Sequence, residues 1–362
     1  MRAVILAAGY ATRLLPYTEA FPKTLLKLGG RPLLDYTLDN LAEADLSGIT
    51  VVTNERFRRL FASWARSRVT RAGAKGGPPI RVLGDGTTTN EGRLGSIGDL
   101  AFVLEREGMQ EDLLVLSSDK LVSFRFADLL GAFRDHTLNT CYDTGDRELV
   151  RGRFGCARLD GQGRIVEFAE KPSAPPSSVK SIAFYVYPRA VLPLVARYLS
   201  SGGNPDAPGY FTEWLCRKVP VYAWLLREDC RDVGTPESYL EARARIVPGG
   251  EPEVRVLVVA DGAGTGAPAG EALEQAVREL AGEPPVTLVY VAAPADAVSE
   301  LEAWRDGAVF PVPVNVVALA GAPGGADALA GTLGCRWVLR PRRRGNRTVY
   351  HREGRSSEHS GS

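Results

Sequence analysis

The stretch that decides the fold is the amino terminus, MRAVILAAGYATRLLPYTEAFPKTLLKLGGRPLLDY (residues 1–36). A short apolar run leads at once into a loop of small residues, followed by Arg13 and Lys23. Small residues such as Gly9 and Ala11 at the end of a strand let backbone N–H groups approach a phosphate. Arg13 adds a planar set of donors that matches phosphate oxygens, and Lys23 adds a point charge. The stretch therefore predicts a buried strand and a phosphate-binding loop, with a plain glycine turn as the alternative.

The composition is typical of a globular protein. The chain has 362 residues, of which 44% are hydrophobic and 24% are charged, and its net charge is +1. This length predicts two domains, and the charge argues against nucleic acid or membranes as partners. We expect a cytoplasmic protein, because neither a signal peptide nor an apolar run of roughly 18 residues is evident. The five cysteines form no Cys-x-x-Cys pair, which argues against a zinc site.

Strand-like and helical patterns alternate along the first two thirds of the chain. Continuous Val/Ile/Leu runs at 3–8, 48–53, 79–84 and 112–118 suit strands covered by helices on both faces. The helical pattern at 32–44 places its leucines along one face. The alternation predicts an α/β fold with a Rossmann-like, doubly wound sheet.

A different pattern follows, and it sets the predicted domain limits. Residues 154–172 read as two strands joined by a glycine-containing turn, so the sheet is expected to be mixed. A Pro/Gly-rich break predicts a boundary after a first domain of residues 1–248. Renewed strand–helix alternation predicts a small α/β accessory domain at 251–340. The polar remainder, 341–362, is predicted to be a disordered basic tail.

Six blocks of sequence carry a resemblance to a known family. They are LAAGYATRLLPYTEAFPKTLLKLGGRPLLDYTLDNL (6–41), VVTNERF (51–57), DGTTTNEGRLGSIGDL (85–100), LLVLSSDK (113–120), FGCARLDGQGRIVEFAEKP (154–172) and CRDVGTPESYLEA (230–242). In this order they resemble the sugar-1-phosphate nucleotidyltransferases, or NDP-sugar pyrophosphorylases, and most nearly the glucose-1-phosphate thymidylyltransferases. The resemblance implies transfer of a nucleoside monophosphate from a nucleoside triphosphate to a sugar 1-phosphate, with release of pyrophosphate.

The resemblance also implies a role for individual residues. Arg13 and Lys23 would be the catalytic residues that hold the nucleotide phosphates. Asp119 and Asp232 would hold Mg²⁺, whose preference is for hard carboxylate and phosphate oxygens. The other implied residues are Glu170 and Lys171 for the sugar phosphate and, for the nucleotide, Leu6, Ala7, Ala8, Gly9, Thr89, Asn90 and Gly95. The implied partners are the two substrates and a second copy of the chain in a homodimer.

Departures from the family pattern keep an alternative substrate open. Ala11 stands where glycine is usual and is expected to limit positive φ. Ser118 and Lys120 flank Asp119 in place of the usual Gly-Asp pair, which changes the charge around the metal ligand. The alternative acceptor is a cyclitol phosphate, such as valienol 1-phosphate used with GTP in antibiotic biosynthesis. The nucleobase is not specified by these residues.

Two rival functions rest on the carboxyl-terminal third. VVADGAGTGAPAG (258–270) places a glycine-rich loop after a strand, which is compatible with a nicotinamide-binding oxidoreductase domain. The expected acidic residue after the next strand is not evident, so a module that mediates dimer contacts or rigidifies the first domain is the stronger interpretation. The arginines that begin at Arg340 raise the possibility of nucleic-acid binding. They lack an interleaved aromatic platform, which favours a solvated tail.

Overall fold

The structure, a computed structural model, describes residues 1–72, 77–228, 230–246, 254–260, 271–282, 286–319, 325–344 and 347–354. Within these residues the strands are β1 Arg2–Leu6, β2 Lys27–Leu28, β3 Arg31–Pro32, β4 Gly48–Thr53, β5 Ile80–Gly84, β6 Leu113–Ser117, β7 Lys120–Leu121, β8 Thr137–Asp143, β9 Cys156–Leu159, β10 Ile165–Ala169, β11 Val179–Tyr187, β12 Val221–Leu225, β13 Arg231–Asp232, β14 Val254–Val259, β15 Val286–Ala293, β16 Val314–Ala318, β17 Trp337–Arg344 and β18 Arg347–Gly354.

The α-helices in the same part of the chain are α1 Leu33–Asn40, α2 Arg58–Ala72, α3 Ser96–Glu107, α4 Phe126–Gly131, α5 Pro193–Ser200, α6 Pro208–Leu215, α7 Pro236–Ile246, α8 Glu271–Gly282, α9 Val298–Gly307 and α10 Gly325–Thr332. The chain divides into two compact units. The first unit is Met1–Tyr10 with Leu34–Val233, and the second is Ala11–Leu33 with Gly234–Ser362. The opening strand and the loop that follows it are thus assigned to different units, which the sequence did not predict.

The first unit is built on a mixed sheet with the strand order β10-β9-β11-β6-β1-β4-β5. The β6, β1, β4 and β5 strands are mutually parallel, whereas β11 runs antiparallel to β6. The β8 strand also pairs with β11, and β12 pairs with β8. Central strands such as β4 are buried along their whole length, because helices cover both faces. The predicted α/β fold with a mixed sheet is confirmed, including the β9–β10 hairpin.

The second unit contains a smaller sheet with the order β16-β15-β14-β17-β18. Strands β14, β15, β16 and β17 are parallel, and β18 closes the edge antiparallel to β17. We call residues 254–354 the C-terminal module. Its core joins β14 and β15 to the apolar faces of α8 and α9, with Val256, Val277 and Val289 fully buried. The predicted boundary at 248–251 and the glycine-rich loop at 261–270 lie outside the described residues.

The predicted disordered tail differs from the structure over its first part. Residues 347–354 form β18, which pairs along its whole length with β17. Tyr350 packs against the core of the module, and the Arg352 guanidinium lies 4.1 Å from the centre of the Trp337 ring. Arg340 also pairs with Glu353 at 3.0 Å. Composition alone predicted disorder because the strand is polar, but an adjacent strand edge and one aromatic platform suffice to order it.

Candidate active site

The loop that follows β1 is held by the neighbouring strand. The Ala7 N–H donates to a carbonyl of β4 at 2.8 Å, and the fully buried Asn54 side chain donates to the Ala8 carbonyl at 3.0 Å. A Cβ atom added at Gly9 would meet nothing within 4 Å. The main chain at Gly9 therefore borders open space, which a ligand that approaches the backbone requires.

The segment after β5 lies beside this loop. The Thr87 carbonyl accepts a hydrogen bond from the Glu55 N–H at 2.8 Å, and the Thr87 and Tyr10 hydroxyls are 3.4 Å apart. Thr89 and Asn90 follow directly, the first exposed and the second half-buried. The structure thus brings the segment that contains two predicted nucleotide residues to the end of β1. Their contact with a nucleotide stays a prediction.

Gly95 precedes α3 in a conformation that only glycine adopts readily. Its φ is 78° and its ψ is 162°. A Cβ atom here would lie 2.5 Å from the Pro205 carbonyl oxygen. The first N–H groups of α3 are already used, because Ser96 and Ile97 donate to the carbonyls of residues 206 and 205. Glycine at this position therefore allows the loop that contains Pro205 to approach the start of α3 closely. Its predicted role in nucleotide binding stays a prediction.

A buried pair of carboxyl groups lies behind this segment. Asp85 and Asp99 are 8% and 5% exposed, and Asp85 accepts hydrogen bonds from the Thr87 N–H and hydroxyl at 2.7 and 2.8 Å. Burial raises the pKa of Asp99, and the charge and hydrogen bond of Asp85 raise it further, to about 8. Sequence reasoning missed this pair, since a carboxylate near a helix start is ordinarily a cap. Only the packing of α3 brings Asp99 to Asp85.

The raised pKa of Asp99 predicts a pH-dependent stability. The folded protein keeps this proton up to about pH 8, whereas the unfolded chain releases it near the ordinary value of 3.8. The free energy of unfolding should therefore fall as the pH rises between these values, by at most about 1.4 kcal/mol per pH unit. Asp99→Asn supplies a donor at every pH and should remove this slope in urea unfolding. Asp128→Asn, at an exposed helix position, is the control. Equal dependence of stability on pH in wild type and Asp99→Asn would contradict the raised pKa of Asp99.

Strands β7 and β13 bring the two segments that carry the predicted metal ligands side by side. In this short ladder Asp232 lies opposite Lys120, and the Val233 N–H donates to the Asp119 carbonyl at 2.8 Å. The Lys120 ammonium forms an ion pair with the Asp232 carboxylate. Burial lowers the pKa of Lys120, but the charges of Asp119 and Asp232 outweigh it, so the net shift is upward. Ser118 donates its hydroxyl to the last carbonyl of β1 at 2.7 Å, which ties the ends of β6 and β1 together.

This pair of carboxylates fits a magnesium ion. Mg²⁺ takes oxygen ligands and commonly only one or two protein carboxylates, the remainder being waters and substrate phosphates. The Asp232 side chain is 41% exposed and Asp119 is half-buried, so both are near solvent. Within the described ranges, no group of three or more His, Cys, Asp or Glu side chains is placed to hold a metal. The residues present therefore suit a cation shared with a substrate.

Glu170 packs against glycines from two other segments. Its Oε2 atom is 2.7 Å from the position of a Cβ at Gly155 and 1.7 Å from that of a Cβ at Gly209. Burial raises the pKa of Glu170, Lys171 lowers it and Glu213 raises it, with a net upward shift. Lys171 is exposed and has a left-handed φ of 48°. This strained backbone conformation turns the chain just after β10. Of the two predicted sugar-phosphate residues, Glu170 is therefore half-buried and Lys171 is exposed.

A buried polar cluster adjoining Glu170 was not predicted from the sequence. The Ser181 N–H donates to the Gly155 carbonyl at 2.8 Å, and its hydroxyl donates to Asn139 Oδ1 at 2.9 Å. Asn139 is fully buried, and its Nδ2 has no partner within the part of the chain that the structure describes. Ala183 has a φ of 61°, where the register of β11 against β8 shifts. The sequence signal for this polar cluster was one polar residue within each of two apolar strands.

Arg13 and Lys23 lie in the second unit, on two short 3₁₀ turns. Arg13 is exposed and Lys23 is half-buried. Ala11 has a φ of 48°, so the expectation that alanine limits positive φ at this position is wrong. Its carbonyl accepts hydrogen bonds from the Thr18 hydroxyl at 2.9 Å and from a backbone N–H of the turn at 3.0 Å, which stabilise the left-handed conformation. The roles predicted for the two cations remain predictions.

A mixed α/β sheet with a loop of small residues at the carboxyl end of its first strand has the arrangement in which open α/β sheets bind ligands. The chain belongs to the nucleotidyl transferase family, whose sequence profile matches residues 2–247. Residues after 247 lie outside that match. No helix in the described ranges is long and apolar enough to span a membrane.

Individual relatives agree with this assignment. A Thermotoga neapolitana glucose-1-phosphate adenylyltransferase is 30% identical over 264 residues, which cover 68% of this chain and 60% of that protein. A Sulfolobus acidocaldarius protein described as a mannose-1-phosphate guanyltransferase is 27% identical over 245 residues, covering 68% and 63%. The chain thus spans about three fifths of the length of these curated relatives. The crystal structure of a UDP-glucose pyrophosphorylase with UDP-glucose shares the fold, with a TM-score of 0.55, 18% identity and coverage of 67% and 97%.

Proposed function

We propose that the chain transfers a nucleoside monophosphate from a nucleoside triphosphate to a sugar 1-phosphate, forming a nucleoside-diphosphate sugar and pyrophosphate. The observation that carries the proposal is the pairing of the segments that hold Asp119 and Asp232, whose negative charges both act on the Lys120 ammonium just beyond β6. Two anionic substrates require positive charge at such a place, and paired carboxylates are how a protein recruits a metal cation for phosphates. The names of the relatives point to the same reaction.

The chemistry needs no nucleophile from the protein. An oxygen of the acceptor phosphate attacks the α-phosphorus in line, a new P–O bond forms, and the bond to pyrophosphate breaks. We assign Arg13 and Lys23 to the triphosphate, and Glu170 and Lys171 to the sugar phosphate. Asp119 and Asp232 would hold Mg²⁺, which supplies charge neutralisation when bound. Catalysis then consists of positioning and electrostatic stabilisation by these side chains.

The test is a substrate matrix read by pyrophosphate release. The common nucleoside triphosphates are each combined with sugar 1-phosphates and with cyclitol phosphates, at saturating Mg²⁺. At least one sugar 1-phosphate pairing should turn over, and turnover only with cyclitol phosphates would establish the alternative acceptor. If no combination of substrates releases pyrophosphate and the protein binds NADH, the oxidoreductase hypothesis would replace the proposal.

Cell location and assembly follow as further parts of the proposal. Cys141 and Cys156, which are both fully buried, are free thiols and are not joined to each other. Unpaired thiols suit the reducing cytoplasm, where nucleoside triphosphates are made. We infer a cytoplasmic enzyme and, from the sequence resemblance, a homodimer. The molar mass in solution, measured by light scattering, tests the assembly.

Lys171→Ala should impair the use of the sugar phosphate. The change removes one charge-assisted contact, worth about 1.5–3 kcal/mol, so the KM for the sugar phosphate should rise and kcat should fall, with nucleotide affinity unaltered. Steady-state kinetics with each substrate varied separately will show the difference. Lys218→Ala, at an exposed lysine on the same unit, is the matched control. Equal weakening of both substrates by Lys171→Ala would contradict the assignment.

A further inference from the structure

The segment that carries Arg13 and Lys23 belongs to the same compact unit as the C-terminal module. Residues Ala11–Leu33 group with Gly234–Ser362, although the family match ends at residue 247. Residues beyond the shared nucleotidyl transferase domain are therefore available to position this segment. We call residues 11–33 the phosphate loop.

Tyr17 is the first point of attachment between the phosphate loop and the module. Its side chain is fully buried, and its hydroxyl accepts a hydrogen bond from Arg255 Nη2, in β14, at 3.0 Å. The Arg255 guanidinium carbon lies 5.6 Å from the centre of the Tyr17 ring, and Nη1 also donates to the Leu333 carbonyl at 3.3 Å. A hydrogen bond to a charged donor that is itself fixed by the module holds the ring in one place.

The second attachment is made by Asn315. This side chain, in β16, is fully buried, and its Nδ2 donates to the Pro16 carbonyl at 2.8 Å. A buried amide that pairs with a loop carbonyl is costly to remove, because the carbonyl then loses its partner away from water. Asn315 and Arg255 come from different strands of one sheet. The module therefore bonds two consecutive residues of the loop, Pro16 and Tyr17, from a single sheet.

Helix α7 completes the arrangement from within the shared domain. The Tyr239 ring centre is 5.1 Å from that of Tyr17, and the Tyr239 hydroxyl donates to the Lys27 carbonyl at 2.8 Å. Tyr17 thus contacts α7, which lies within the family match, and Arg255, which lies beyond it. Tyr17 lies only four positions after Arg13, so the placement of the Tyr17 ring restricts where Arg13 can reach.

We propose that the C-terminal module is a positioning element for the phosphate loop, and that Arg255 and Asn315 are positioning residues that act on Arg13 through Tyr17 and Pro16. The proposal rests on the proposed function for its consequence, which is tighter binding of the nucleoside triphosphate. The attachment itself is a property of the protein without substrate. The proposed effect of the module on nucleotide binding is therefore indirect, through Tyr17 and Pro16.

The test uses the full chain with Arg255→Met, which keeps the apolar stem and removes the guanidinium. Arg278→Met is the matched control, because Arg278 also lies over an aromatic ring and bonds a carbonyl within the module but has no described contact with the loop. Hydrogen–deuterium exchange without substrate should become faster in peptides covering residues 11–26 of Arg255→Met only. The affinity for a fluorescent nucleoside triphosphate should fall about 5-fold or more, the lower range of coupling between sites, with sugar-phosphate KM unaltered.

Tyr17→Phe and the double variant make the test specific. If Arg255 acts through the Tyr17 hydroxyl, the double variant should weaken nucleotide binding no more than either single change. Asn315→Leu provides a second, independent attachment to remove if Arg255→Met does not fold. Exchange in the loop that is the same in Arg255→Met, Asn315→Leu and the control would overturn the proposal. If exchange becomes faster in Arg255→Met but the wild-type protein itself binds no nucleoside triphosphate, the attachment would be kept and the proposed function overturned.

Discussion

Asp119→Asn and Asp232→Asn should each lower turnover by at least about 100-fold at limiting Mg²⁺, the low end for losing a key electrostatic group. Asparagine keeps the shape of the side chain and removes the anionic oxygen that a hard cation requires. Raising the Mg²⁺ concentration should restore part of the rate. Titration with Mn²⁺, followed by its paramagnetic signal, should show weaker metal binding in both variants without reference to activity.

The two variants should differ in stability, because Lys120 pairs directly with Asp232 and its side chain is only 11% exposed. Removing Asp232 leaves a nearly buried ammonium without its ion-pair partner, so the melting temperature should fall more in Asp232→Asn than in Asp119→Asn. Asp39→Asn, at an exposed carboxylate paired with Arg68, is the control for loss of one negative charge. Near-normal rates for both variants at limiting Mg²⁺ would show that the metal assignment, and the mechanism with it, is wrong.

Arg13→Ala is expected to have the next largest effect, a decrease in kcat of about 100-fold. The guanidinium is assigned to the phosphates on which negative charge develops as pyrophosphate leaves, and loss of one such donor has effects of this order. Because Arg13 is exposed, the thermal unfolding temperature should not change. Steady-state kinetics together with differential scanning calorimetry separates the two effects.

Arg245→Ala is the matched control, since Arg245 is also an exposed arginine in the second unit and lies outside residues 11–33. Arg13→Lys keeps the charge but not the planar pair of donors, so it should recover only part of the rate. If the kcat of Arg13→Ala equals that of the control, the residue is a surface charge and the phosphate-binding interpretation of the opening loop fails.

Local patterns in the sequence predicted β1, β4, β5, β6 and the β9–β10 hairpin of the first unit, but not β8 and β12. Continuous Val/Ile/Leu runs alternate with amphipathic helices, and this predicts covered parallel strands whatever their order in the sheet. The tail shows where this reasoning fails. Residues 347–354 lack the apolar content that signals a strand, and their order comes from pairing with β17 and from Trp337, which lies ten or more residues earlier.

The candidate site divides in the same way. The sequence by itself determined which residue types follow each strand, because motifs such as LAAGYATR and FAEKP are contiguous and their chemistry is local. Only the tertiary structure decided which side chains share an environment. It placed Asp232 beside Lys120, buried Asp99 against Asp85, and attached Tyr17 to a partner 238 positions later in the chain. The physical reason is that burial and ion pairing depend on strand order and helix packing, which bring together residues that no local pattern connects.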